Sequence, residues 1–324
     1  MVVEEAIKTD LYRNIPGQRY NKKRKKFFKT LYKQRYLFLM MLPGLAYYAI
    51  FRYIPMYGLI IAFKKYNFSK GILKSEWVGF KYFIQFLQNP YFGRIVLNTF
   101  KISISSLVCS FPITIIFALL LNEIRNTKLK KTVQTITYLP HFISLVIIVG
   151  LLKQLLSPTT GIVNKIINAF GGQSINFFME KHWFVPIYVA SGIWCDFGWG
   201  AIVYIAAIAA LNVELYEAAT VDGAGRFRRI WHITIPGIMP TVITMFILKM
   251  GGILDVGYEK VLLMYNESIY ETADVISTYV YRNGIKQMNY SYGAAVGMMN
   301  AAVNLVVIII TNYLSKKVSN TSLW

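Results

Sequence analysis

Of 324 residues, 55% are hydrophobic and only 15% charged, well under the roughly 25% charged share of an ordinary soluble domain, so a soluble globular domain is excluded and most of the chain belongs in lipid. The formal net charge of +20, from 35 Lys and Arg against 15 Asp and Glu, would point a soluble protein to nucleic acid. In a membrane protein such charge gathers in loops near helix ends, and nucleic acid is not expected as a partner.

Residues 1–35 are polar and basic, with Lys and Arg packed from Arg19 to Arg35 ahead of the first apolar run. The stretch is too long and too charged for a secretory signal peptide, and no small-residue cleavage site follows the run. It reads as a solvated, cytoplasmic topology determinant within reach of membrane lipid headgroups. The first span, 36–63, carries Pro43, Pro55 and Arg52, which predicts a kinked helix with Arg52 snorkelling towards one end. Residues 64–92 read as an external segment whose amphipathic stretch GFKYFIQFLQ lies at the membrane interface.

The core, 93–315, then supplies spans from Asn98 to Leu121, Val133 to Leu155, Phe184 to Ala210, Gly237 to Val256 and Tyr292 to Leu314. External loops are expected at 157–183 and 257–290. A basic cluster at Arg125, Lys128, Lys130 and Lys131 closes the second span on the inner side, and Lys316 and Lys317 open a cytoplasmic tail, 316–324. The expectation is an all-α integral membrane protein of six transmembrane helices with both termini in the cytoplasm, an orientation that places most Lys and Arg inside. His141, beside Pro140, has no acidic residue nearby in sequence and reads as a capped or interfacial histidine.

The fourth and fifth spans are joined by a polar connector, LNVELYEAATVDGAGRFRRIWHITIP. Its first part is rich in helix formers with Glu214 and Glu217 early, and Gly223 and Gly225 give a stop signal. Its basic, aromatic second part leads into Pro236, which suits the first turn of the next helix. The pattern Glu217-Ala218-Ala219, Gly223 and Ile233-Thr234-Ile235-Pro236 resembles the EAA loop of permease subunits of bacterial ABC importers, with Ile235 where the family usually has Leu. LPGLAYYAIFRYIPMYGLIIAF, VQTITYLPHFIS, ADVISTYVYRNGI and YSYGAAVG extend the resemblance over about residues 36–315, to permeases that import oligosaccharides released from polysaccharides. Within that branch the chain looks like the first permease subunit of alginate-type or pectin-type importers.

That resemblance implies the type I ABC importer permease architecture, with the loop at 211–236 forming a coupling helix. Glu217, Ala218, Ala219, Asp222 and Gly223 would meet a cytoplasmic ATPase, Glu217 against a basic group and Gly223 allowing the chain to turn. It also implies a second homologous permease, two ATPase subunits and an extracytoplasmic binding protein, soluble or lipid-anchored, that delivers an oligosaccharide, acidic in the alginate and pectin cases.

The chain contains no GxxxxGK[ST], so ATP and Mg are expected on partner ATPase subunits and no cofactor on this chain. Cys109 and Cys195 form neither a disulfide framework nor a zinc pattern, and His141, His182 and His232 form no HExxH, so neither a metal site nor a catalytic group is expected. Ionisable groups within a bilayer are costly, by about 2.5 to 3.5 kcal/mol on insertion scales, and usually face a cavity or a partner. Asp196, Lys249 and Asp255 are therefore pathway candidates. Asp196 lies between Trp194 and Trp199, an aromatic face with a polar neighbour that suits a sugar ring; the competing reading has both tryptophans packing helices and Asp196 paired with a lysine. Asn300 and Asn304 share one face of the last span among Gly and Ala residues, which suits interhelical packing or pathway lining.

An ABC permease for an amino acid, polyamine or phosphate shares the loop and is the competing function. A secondary transporter would carry an internal inverted repeat and broken helices around a charged midplane site, and no clear repeat is present.

Overall fold

The computed structural model describes residues 33–319 and 322–323. The basic tail therefore lies, up to residue 32, outside the described residues. The chain divides at Ile60 into two compact units, taken in turn.

In the first unit, α1 (Arg35–Tyr48) continues through a π turn at Ala49–Tyr53 and a short helix at Ile54–Met56, and a 3-10 stretch, Tyr57–Phe63, spans the boundary at Ile60. The winding changes where a break could have come. The wide turn stands just before Pro55, whose ring would otherwise meet the carbonyl four residues back.

The second unit opens on a small antiparallel pair, β1 (Lys64–Lys65) with β2 (Glu76–Trp77), and on α2 (Lys81–Leu87). The amphipathic stretch expected at the interface is partly turned inward. Phe86 on α2 is buried among Ile95, Tyr279 and Tyr292.

Two long helices, α3 (Phe92–Asn122) and α7 (Phe184–Ala209), pack along one another and carry the core. On α3 the buried residues Ile95, Asn98, Thr99, Ile102 and Ser103 recur at the three- and four-residue spacing of one helix face. That helix takes part in all three apolar clusters, through Ile95, Ile102 and Ala118.

Between them, the expected third span is not a single rod. Helix α4 (Thr127–Tyr138) and α5 (Leu145–Leu155) meet at a 100° bend. Pro140 sits in the 3-10 turn Leu139–Phe142, and Ile143 and Ser144 then take extended ψ values of 134° and 139°, which ends the helical path. At the α4 end, Gly198 of α7 admits close approach: a Cβ there would lie 2.3 Å from the Thr137 carbonyl oxygen.

After α6 (Ile162–Ala169) and α7 come α8 (Val213–Val221), a four-residue helix at Arg226–Arg229, a π turn at Ile230–Thr234 and α9 (Ile235–Met250). A wide turn again stands just before a proline, here Pro236. The stretch 257–290, expected as an external loop, is instead among the best-buried parts of the unit. It forms α10 (Tyr258–Met264) and a short helix at Ile276–Val280, and sends Val261, Met264, Ile269 and Val275 into the core. Its polar groups satisfy one another: Asp274 is hydrogen-bonded to Thr278 and ion-paired to Arg282 at 2.6 Å, and Asn98 of α3 donates to the Asp274 carbonyl. Lys181 pairs with Glu271 on the same stretch, and this hydrogen bond holds the Glu271 carboxyl below the usual carboxylate range.

Helix α11 (Tyr290–Ser319) is the last helix among the described residues and runs past Lys316 and Lys317. Among the described residues, five helices are long and apolar enough to cross a membrane, or six when α4 and α5 count as one bent span.

Candidate functional site: a polar cavity and an exposed helical knob

Serine and threonine hydroxyls stand in one row on α3. Ser103, Ser106, Ser110 and Thr114 are separated by three, four and four residues and so share a face. Ser106, Ser110 and Thr114 line a cavity of about 480 Å³ that Asp196 and Trp199 of α7 and Lys249 of α9 also face. Lys260 of α10 closes it on another side. An adjoining cavity of about 270 Å³ shares Ser106, Ser110, Tyr188 and Lys249 with the first and adds Ser103 and Asp255. The shared walls make the two one polar path beside α3.

The carboxylates along this path are held by other elements. His141 Nδ1 lies 2.9 Å from Asp196 Oδ1, and the His141 ring stacks on Trp199 at 4.8 Å with an interplanar angle of 6°. Asp196 thus pairs with a histidine, not the lysine of the competing expectation, and His141 has an acidic partner after all. Asp255 Oδ1 accepts from Asn300 Nδ2 at 3.1 Å and Asn304 Nδ2 at 3.2 Å, while Asn304 Oδ1 accepts from the Leu254 amide. The two asparagines therefore tie α11 to the end of α9. Trp194, expected beside Trp199, lines neither cavity and is half exposed; five residues along a helix turn its ring well away from Trp199.

Lys260 and the hydroxyl row were not singled out from the sequence. The row was legible as helical spacing within an apolar stretch. Lys260 was not, because its surroundings come from Tyr188, far away in the chain: its ammonium donates to the Tyr188 carbonyl at 2.8 Å and lies 4.4 Å from the ring centre.

The connector between α7 and α9 forms a knob. Asn212 caps α8 by accepting from the Glu214 amide, and Gly223, at φ +75°, ends it. The Ala224 amide donates to Ala219 O and the Gly223 amide to Thr220 O, the bond pair of a Schellman stop. Glu217, Ala218 and Asp222 are exposed and Ala219 is half-buried. Among the described residues the Glu217 carboxylate has no partner. The knob is clamped to the entry of α9, where the Tyr216 hydroxyl meets Thr234 Oγ1 at 2.9 Å and Arg229 donates to Thr220 Oγ1 at 2.9 Å. Ala219 and Asp222 also line an open groove of about 430 Å³ with Arg228, Arg229 and His232. Apolar Val221, Phe227 and Trp231 project nearby, fully or largely exposed.

Apolar spans around a polar path, with an exposed helical knob between two of them, define a multi-pass membrane permease. The chain belongs to the family described as binding-protein-dependent transport system inner membrane component, whose model matches residues 110–320. It is 46% identical over 295 residues to the polygalacturonan/rhamnogalacturonan transport system permease protein YteP of Bacillus subtilis (strain 168), covering 91% of this chain and 92% of YteP. The protein LplB of the same organism is 44% identical, with 91% and 93% covered. A solved structure of the bacterial alginate ABC transporter, in complex with alginate pentasaccharide-bound periplasmic protein, contains a chain that matches with TM-score 0.84 and 42% identity, over 91% of this chain and 99% of that one. The fold is thus that of an ABC importer permease, and the chain is a non-catalytic, multi-pass component of the inner membrane.

Proposed function

We propose that this chain is the permease subunit of an ATP-driven importer that carries oligosaccharides of the acidic, alginate- or pectin-derived kind into the cytoplasm by alternating access. The observation that carries this reading is identity above 40%, over 91% of the chain, to a polygalacturonan/rhamnogalacturonan permease and to a chain of the alginate transporter. The polar path supports it, since hydroxyls of one helix face and the Trp199 indole, which His141 braces by stacking on it, offer a sugar both hydrogen bonds and an aromatic wall.

In this reading the knob and both termini lie in the cytoplasm, in keeping with Arg226, Arg228 and Arg229 on the knob and Lys316 and Lys317 at the end of α11. A second permease completes the pathway, and two ATPase subunits, which bind ATP and Mg, dock on the knobs. Glu217, Ala218, Ala219, Asp222 and Gly223 form the docking face, with Glu217 against a basic group. The clamp between Tyr216 and Thr234 passes displacement of α8 into α9, which carries Lys249 to the cavity. ATP and the loaded binding protein bind the two states with different affinity, which is what drives the change between them.

The test is ATP hydrolysis by the assembled complex, with and without binding protein loaded with an oligogalacturonate, for the native chain and Glu217→Ala. Stimulation that the variant loses or blunts supports the reading. Stimulation by an amino acid, polyamine or phosphate instead keeps the importer and discards the sugar. An assembled variant that behaves like the native complex with every solute removes Glu217 from the coupling face.

A further inference from the structure

Two ammonium groups, Lys249 and Lys260, and one carboxylate, Asp196, line the cavity of about 480 Å³. The carboxylate already has a partner in His141. Asp255, next door, has Oδ1 taken by two amides. The lysines are differently placed. Lys249 has no hydrogen-bond or ion-pair partner among the described residues and faces both cavities. Lys260 is 9% exposed, yet among the described residues no carboxylate lies within ion-pair distance of it.

Bonded to one carbonyl and set against a ring face, with the Asp196 carboxylate acting on it only from beyond ion-pair distance, this buried ammonium is incompletely compensated, and burying a charge in that state is expensive. Of its three donors, one goes to the Tyr188 carbonyl and the Tyr188 ring lies beneath the group. The remaining side borders Gly192, another wall of the cavity, where a Cβ would come within 3.3 Å of Nζ. The absent side chain leaves the ammonium open to the cavity.

We propose that Lys249 and Lys260 read the charge of the cargo: a uronate carboxylate of the oligosaccharide in the pathway accepts hydrogen bonds from both ammonium groups, with Lys260 reaching it across the gap at Gly192. The inference rests on the oligosaccharide reading and adds to it a selection for acid groups in the permease itself. A carboxylate supplies the missing ion-pair partner of Lys260, and sugar hydroxyls are left to the Ser106, Ser110 and Thr114 row.

The test uses the full complex, reconstituted in liposomes with its binding protein, and trigalacturonate as the probe. The readout is trigalacturonate taken up per ATP hydrolysed, for Lys249→Gln, Lys249→Arg, Lys260→Gln and Lys260→Arg. The Gln variants are expected to lower this ratio about tenfold, and the Arg variants to stay within about twofold of the native complex. Gln variants with the native ratio, uptake and hydrolysis falling in parallel, or Arg failing as badly as Gln would each overturn the proposal. Lys249 lies at the surface of the cavity, so its variants keep the test decisive if Lys260→Gln fails to assemble. A native complex that ignores trigalacturonate but imports maltotriose discards the acidic cargo and this proposal with it, while keeping the sugar permease. Trigalacturonate import that no lysine variant alters discards the lysines alone.

Discussion

His141 and Asp196, 55 residues apart in sequence, meet at 2.9 Å, with Asp196 on the wall of the polar cavity and His141 behind it. The bend between α4 and α5 makes this contact, because it turns the Leu139–Phe142 segment onto α7. Both side chains are partly exposed, at 35% and 68%, so the pair is worth little by itself. A double-mutant cycle with His141→Phe, which keeps a ring on Trp199, and Asp196→Asn is expected to give a coupling of about 0.2 to 1 kcal/mol in thermal unfolding of the complex. A coupling well above that range would mean that the partner permease buries the pair.

Gly198 and Gly150 make a matched pair of tests. A methyl group on Gly198 would meet the Thr137 carbonyl oxygen at 2.3 Å, a backbone atom that moves only if α4 moves, whereas Gly150 on α5 has open space around it. Gly198→Ala is expected to destabilise by about 1 to 3 kcal/mol through overpacking. Gly150→Ala should be neutral or stabilise by up to about 1 kcal/mol, since alanine is the better helix former. Melting curves of the two purified variants side by side check this, and equal melting points would refute the close α4–α7 contact.

Much of this arrangement could be read from the chain before any fold was known, and what escaped did so for physical reasons. The knob was legible because a run of helix formers and a positive-φ glycine act locally on α8, and a first-turn proline marks the entry of α9. The long spans α3, α7 and α11 were legible from apolar length alone. The bend at Pro140 was not, because prolines inside α1, α3 and α9 leave those helices unbroken; only the extended residues that follow Pro140 stop the path. The stretch 257–290 looked like a loop because its apolar runs are short, and its burial depends on Asn98 and Thr99 of α3 meeting its backbone. The partners of His141 and Lys260 lie 55 and 72 residues away, beyond any local pattern.

Tyr216 and Gly223 control the knob in separable ways. Tyr216→Phe removes the hydroxyl that meets Thr234 Oγ1 and leaves that buried group with only a long bond to the Arg229 carbonyl, 3.5 Å. The expected loss is about 1 kcal/mol. Gly223→Ala meets no neighbour but must hold φ +75°, at about 1 to 2 kcal/mol. Gly223→Asn should be milder, because asparagine tolerates that region. Stimulated ATP hydrolysis by the complex should rank native, then Gly223→Asn, then Gly223→Ala; a reversed order for the last two would show that strain at this turn is not what matters.

The Asp274–Arg282 pair sits where breaking one partner should be most damaging. Asp274 is 1% exposed, with Oδ2 2.6 Å from Arg282 Nη2 and Oδ1 accepting from Thr278. Arg282 also lies over the Tyr270 ring, 4.9 Å from its centre. Removing the carboxylate by Asp274→Ala strands a guanidinium in a mostly closed site and leaves the Thr278 hydroxyl with only the Val275 carbonyl to donate to, at 3.0 Å. The expected cost is about 3 to 5 kcal/mol. Adding Arg282→Met to Asp274→Ala removes the stranded charge, so the double variant should recover part of that loss, although a good ion pair and its packing have both gone. Melting of the assembled complex measures both. A double variant no more stable than Asp274→Ala would mean that the damage comes from the lost packing and Thr278 bond, not from the unpaired charge.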